Sequence, residues 1–140
     1  MTGTLLRRAR RLAAIGLTSA AVFGASACQG GGVDAIVVGS CTVSRPQIAA
    51  PSGLLQTTAT ANCTETKTRT LRAEIKWDHN VLPDPLVASN SDSGTKTAYS
   101  KRLTTCDNGN IRAYYGRAFF SSGENSNAVD SVHQVLEACG

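Results

Sequence analysis

Apolar and polar residues alternate with a period of two along most of the chain, which is the signature of strands with one buried face. The cleanest run is Thr70 to Asp78: Leu71, Ala73, Ile75 and Trp77 fall on one side, and Arg72, Glu74, Lys76 and Asp78 on the other. Leu54 to Cys63 repeats the pattern with Leu55, Thr57, Ala59, Ala61 and Cys63 on one face. Further strands are predicted at Cys41 to Ile48, at Leu86-Val87-Ala88 as a short edge strand, at Thr95 to Cys106 and at Ile111 to Ser121. Asn127 to Ala138 fits strand or helix by period and is read as strand because its surroundings are β. About seven short strands separated by turns predict an all-β sandwich.

The turns set the cysteine pairing. Ala49-Ala50-Pro51-Ser52-Gly53 lies midway between Cys41 and Cys63, so a hairpin folded there sets the two side by side. Asp107-Asn108-Gly109-Asn110 predicts a hairpin between the strands ending at Cys106 and starting at Ile111. A following hairpin near Gly123 returns Cys139 toward residues 107–109. The expected bridges are Cys41–Cys63 and Cys106–Cys139. No C-x-x-C pair or zinc spacing occurs, so no metal site is expected.

Cys28 is then left over, and it follows a leader. Residues 1–27 read as a signal peptide: Arg7, Arg8, Arg10 and Arg11, an apolar run from Leu12 to about Phe23, then Ala25-Ser26-Ala27. The expected location is extracellular. Cys28, followed by Gln29-Gly30-Gly31-Gly32, gives the alternative of lipidation and anchoring on the outer face of the cell membrane. The whole chain carries a net charge of +4, and the four leader arginines account for all of it. Without a basic stripe there is no reason to expect a nucleic-acid partner, nor a membrane partner unless Cys28 is lipidated.

Candidate chemistry is thin. Asp78 and His79 could form a triad with any of thirteen serines, but no G-x-S-x-G elbow presents one. His133, the other histidine, lies in the last strand. The acids alternate with bases on strand faces, Asp107 to Asn110 lacks the later ligands of a calcium loop, and Asn62-Cys63-Thr64 matches a glycosylation sequon by chance. A non-enzymatic protein without cofactors is expected. Among binding roles, Pro83-Asp84-Pro85-Leu86 offers a stiff loop for protease inhibition. Tyr114 and Tyr115, adjacent on one strand, must face opposite ways, so one of them, with Arg112 or Arg117, would form a partner- or glycan-binding patch.

Residues 28–40 form an apolar, glycine-flanked extension ahead of a domain at 41–140. Val33, Ala35, Ile36, Val37 and Val38 have the β-branched character of a strand seeking an edge. Two readings follow: an adaptor that adds this strand to a secreted partner protein, or the first strand of the domain's own sheet.

Two resemblances accompany these readings. Arg117-Ala118-Phe119-Phe120-Ser121-Ser122-Gly123-Glu124-Asn125-Ser126 resembles the end of the sixth strand and the following turn of fibronectin type III domains, and the Trp77 strand resembles that of immunoglobulin-like domains. Both imply an immunoglobulin-like or fibronectin III-like sandwich. The layout of leader, apolar extension and two-disulfide β domain resembles the small secreted adaptor subunits of umbrella toxin particles, which implies an adaptor joining other secreted proteins in a toxin or cell-surface assembly.

Overall fold

The computed structural model describes residues 33–140; the expected signal peptide, its expected cleavage site and Cys28 lie outside the described residues. The described chain is all β: β1 (Ala35–Val38), β2 (Cys41–Ser44), β3 (Ile48–Ala49), β4 (Leu55–Trp77), β5 (Leu86–Thr105), β6 (Ile111–Ser122), β7 (Asn125–Asp130) and β8 (Gln134–Glu137). Every pairing is antiparallel.

Two predicted strands merge in β4, which is 23 residues long. A straight strand of that length would run roughly 75 Å, too far for a domain of this size. It bends instead and serves two layers. Its first half lies between β2–β3 and the end of β5; its second half lies between the start of β5 and β6. At the bend, Cys63 to Thr66 face only Thr97 of β5. Tyr99 sits in the bend with its hydroxyl 2.8–3.0 Å from the carbonyls of Lys67, Gly94 and Lys96. Buried Arg69 braces the same corner, donating to Glu65 O and Ser40 Oγ.

The sandwich closes on itself. β1 lies against β7, and the Gly39 turn packs beside Ser122 and Asn125 of the β6–β7 turn. Both turns are two-residue loops with a glycine of positive φ first, Gly39 (60°) and Gly123 (78°). One apolar cluster fills the interior: Val38, Val43, Ile48, Leu55, Ala59 and Ala61 from one layer, and Leu71, Ala73, Ile75, Tyr114, Ala118, Phe120 and Val129 from the other.

Both expected disulfides are present. Cys41 and Cys63 are direct cross-strand partners in the β2–β4 register, and Cys106 joins Cys139 just past β8.

Three expectations change. The strands predicted at Leu86-Val87-Ala88 and Thr95 to Cys106 are one strand, β5, and the polar run Asn90 to Gly94 that would have connected them is its middle, where an edge strand with an open outer side tolerates polar residues. The Asn108-Gly109 turn forms, with positive φ at both residues, but its flanking strands do not pair. β4 lies between them, so the turn carries the chain from one layer to the other. Finally, residues 35–38 are not a free extension. β1 pairs with β2 over its whole length, so the domain's own sheet begins inside the segment read as an N-terminal extension.

Candidate functional site

The residues expected to engage a partner fall into two groups, and the structure turns part of the first and all of the second inward. In β1, Val38 is buried and Ile36 packs against the core, because the alternation that suggested a donor strand serves this domain's interior. Val33, Ala35 and Val37 remain exposed, but the strand's main chain is committed to β2 on one side. Tyr114 and Tyr115 do point to opposite faces, yet both are buried, at 0% and 1% exposure. Neither ring is open to a glycan or a protein partner.

The cover over Tyr115 is the informative feature. Tyr115 is on the outer face of β6, opposite Lys76 of β4. Between β7 and β8 the chain bulges at Ser131 to His133, three residues against Tyr115 and Gly116. Buried Ser131 satisfies the bulge: its N–H donates to Gly116 O, its Oγ accepts from Gly116 N and donates to Val132 O. The bulge swings His133 over Tyr115, ring on ring, with centroids 4.4 Å apart and planes 11° from parallel. His133 Nδ1 is 3.0 Å from Asp78 Oδ2 at the end of β4.

The loop between β4 and β5 supplies the rest of the cover. The Tyr115 hydroxyl donates to Asp84 Oδ2 at 2.7 Å, and Asp84 Oδ1 accepts the His79 backbone N–H at 3.0 Å. Those two hydrogen bonds, the His79 one foremost, hold the Asp84 carboxyl below the usual carboxylate range. Burial, reinforced by the bond to Asp84, pushes the Tyr115 phenol well above its ordinary value. Arg117 beside it forms a bidentate pair with Asp130 at 2.6 and 2.9 Å, which raises its already high pKa further.

His79 braces the loop from within. Its Nδ1 accepts the N–H of Leu82 at 3.1 Å and, more loosely, that of Val81 at 3.4 Å. Its ring lies 4.8 Å from Trp77, whose other neighbour is the Arg112 guanidinium at 4.4 Å. The chain therefore bends at Asn80 to Leu82, polar groups turned inward, and offers Val81 (85% exposed) and Leu82 (62%) at its tip.

The Pro83-Asp84-Pro85-Leu86 segment thus contributes differently from its expected inhibitor role. Asp84 is an anchor, and the apolar tip precedes Pro83. Asp78 and His79 do sit at a strand end, but Asp78 meets His133 and not a serine, and the Tyr115 hydroxyl is directed to Asp84. His133, expected in the last strand, lies instead in the bulge ahead of β8, and its pairing with Asp78, 55 residues away, has no local sequence signal. No group of three or more metal-ligating side chains occurs among the described residues. No protein-family model, curated protein or solved structure matches the chain.

Proposed function

We propose that this is an extracellular, non-catalytic protein-binding domain that engages a partner protein through the β4–β5 loop, with Val81 and Leu82 as the inserted side chains. One observation carries the reading: the two most exposed neighbouring apolar side chains among the described residues sit on a bend held from beneath by His79, Asp84, Tyr115 and two prolines. A loop held in its bound shape loses little conformational freedom on association, and apolar anchors on a rigid support are what an interface centre needs. The two disulfides are compatible with an extracellular location.

The competing modes lack a matching surface. Protease inhibition calls for an extended segment that pairs its main chain with the enzyme; here the Val81 and Leu82 N–H groups turn back to His79. Glycan stacking calls for an open aromatic face, and both tyrosines are covered. Strand addition meets edges whose donors are in part taken by their own side chains. On β5 the Ser100 N–H donates to Asp92 and the Ser91 N–H to Asn90; on β7 the Ala128 N–H donates to Asn127. An adaptor role of the kind implied by the umbrella-particle resemblance would then run through the loop, not through a donated N-terminal strand.

The test compares immobilised wild-type protein with Val81→Asp/Leu82→Asp for proteins retained from the source culture supernatant. The variant should melt like wild type and lose the retained partner. A variant that keeps every partner overturns the assignment.

A further inference from the structure

We propose that His79 is a proton-operated latch for the Val81–Leu82 tip: the neutral ring holds the bend, and the protonated ring releases it.

The geometry dictates the protonation state. Two main-chain N–H groups point at Nδ1, from Leu82 at 3.1 Å and Val81 at 3.4 Å. Nδ1 must therefore present a lone pair, and the ring proton sits on Nε2. An imidazolium carries hydrogens on both nitrogens. Its Nδ1–H would face two donors, and both hydrogen bonds would be lost together. Histidine is the one side chain whose ordinary charge change falls between pH 5 and 8, and a proton on Nδ1 would remove both bonds that hold the bend.

The surroundings leave the charged ring accessible. Asp78 adjoins His79 in the chain, and the Asp84 carboxylate accepts the His79 backbone N–H. Lys76 and His133, whose charges reach Asp84, and Arg112 on the far side of Trp77 are the other charged or titratable groups that the neighbouring elements bring to this loop. The π face of Trp77 lies beside the ring and accommodates a cation. Protonation costs the bend its two bonds without stranding a buried charge. The hinge points are fixed on either side, by Asp78 N–H to Ala113 O and by Trp77 N–H to Pro85 O, so the release is confined to residues 79–84.

The latch is a property of the loop alone; that it would discharge a partner on acidification rests on the binding role proposed above. Amide hydrogen exchange and nitrogen-15 shifts of the full chain, recorded by NMR between pH 7.5 and 5, test it without a partner. In wild type the protection of the Val81 and Leu82 amides should fall about 5- to 10-fold across that range, the change expected when a single ordinary hydrogen bond is lost. The nitrogen-15 signals of the ring should show the Nε2–H tautomer at pH 7.5. His79→Asn places an amide oxygen that accepts like Nδ1 and does not titrate, so its protection should stay constant. His79→Ala should lack the protection at every pH. His133→Gln should titrate like wild type, which separates His79 from the other histidine. Val81 and Leu82 amides that do not change in wild type, or a response that persists in His79→Asn, overturn the latch. A confirmed latch in a protein whose tip variants keep their partners would overturn the binding role instead.

Discussion

Tyr114 and Tyr115 are neighbours on β6, equally hidden from water, and each donates its hydroxyl to an aspartate at 2.7 Å, Asp107 and Asp84 respectively. Burial is also the main reason both phenols are pushed well above their ordinary value. What hides them differs. Tyr114 faces the interior and belongs to the one apolar cluster that joins the two layers. Its cover is the fold itself. Tyr115 faces outward, and its cover is assembled from a bulge that delivers His133 and a loop that delivers Asp84. Each piece is held by a few polar contacts and one ring contact, so it can open locally while the domain stays folded. The inner face of β6 stabilises the protein; the outer face shapes a loop.

The largest expected effect separates those two roles. Tyr114→Ala should cost about 3–5 kcal/mol, the range for removing a large aromatic from a core that cannot collapse. Tyr115→Ala should cost about 2 kcal/mol, because His133 and the loop can settle into the space. It should also expose residues 79–85 to proteolysis below the global transition. Urea melts with limited proteolysis measure both. Equal losses and no local cleavage would show that the two faces are held in the same way.

A smaller effect probes the inner face one residue on. Gly116 has no unusual φ; it is glycine because the opposite layer comes too close. A Cβ there would overlap Thr57 Oγ1 and stand 3.0 Å from Thr57 Cβ. Gly116→Ala should destabilise by about 1–3 kcal/mol through overpacking. Thr57→Ala alone loses the 2.8 Å bond to Gln47 O, at about 1 kcal/mol. In combination the two should couple favourably by about 1 kcal/mol, since the second removes the atom that the first strikes. Strict additivity would mean that the layers can separate at this point.

The same contrast decides what the sequence reveals. Inner-face features are local and periodic. The alternation of Leu71, Ala73 and Ile75, the Gly123 and Asn108-Gly109 turns and the register that opposes Cys41 to Cys63 all follow from spacing. The path after a turn does not: nothing local to Asn108-Gly109 states that β4 lies between β5 and β6. Nor does composition reveal that Asn90 to Gly94 stays in strand, since an open edge makes polar residues tolerable. The outer-face site is almost wholly illegible, because Asp78 meets His133 and Asp84 meets Tyr115 across 55 and 31 residues. One signal was there: Asp78, His79, Pro83, Asp84 and Pro85 crowd a single short connection, more polar and stiff chemistry than a simple turn requires.

The smallest effect concerns acid below the range in which histidine titrates. Asp84 is held below the ordinary carboxylate value by the His79 N–H and the Tyr115 hydroxyl. A depressed value means that the ionised form is the one the fold favours. The contribution is fully present above the ordinary carboxylate value near 4 and is lost as pH falls through the lower folded value. The loop should therefore be intact at pH 6 with respect to Asp84 and should gain amide exchange over residues 79–85 near pH 3, while Leu71, Ala73 and Ile75 stay protected. Asp84→Asn should produce the same local opening at neutral pH with little change in melting temperature, because an amide oxygen attracts the two donors less than a carboxylate does. Combined with His79→Asn, which is immune to the histidine step, acid exchange would isolate the Asp84 step alone. Protection over 79–85 that persists to pH 3 in that background would show that His133 stacked on Tyr115 holds the cover without Asp84, and that the outer face of β6 is built more like the inner one.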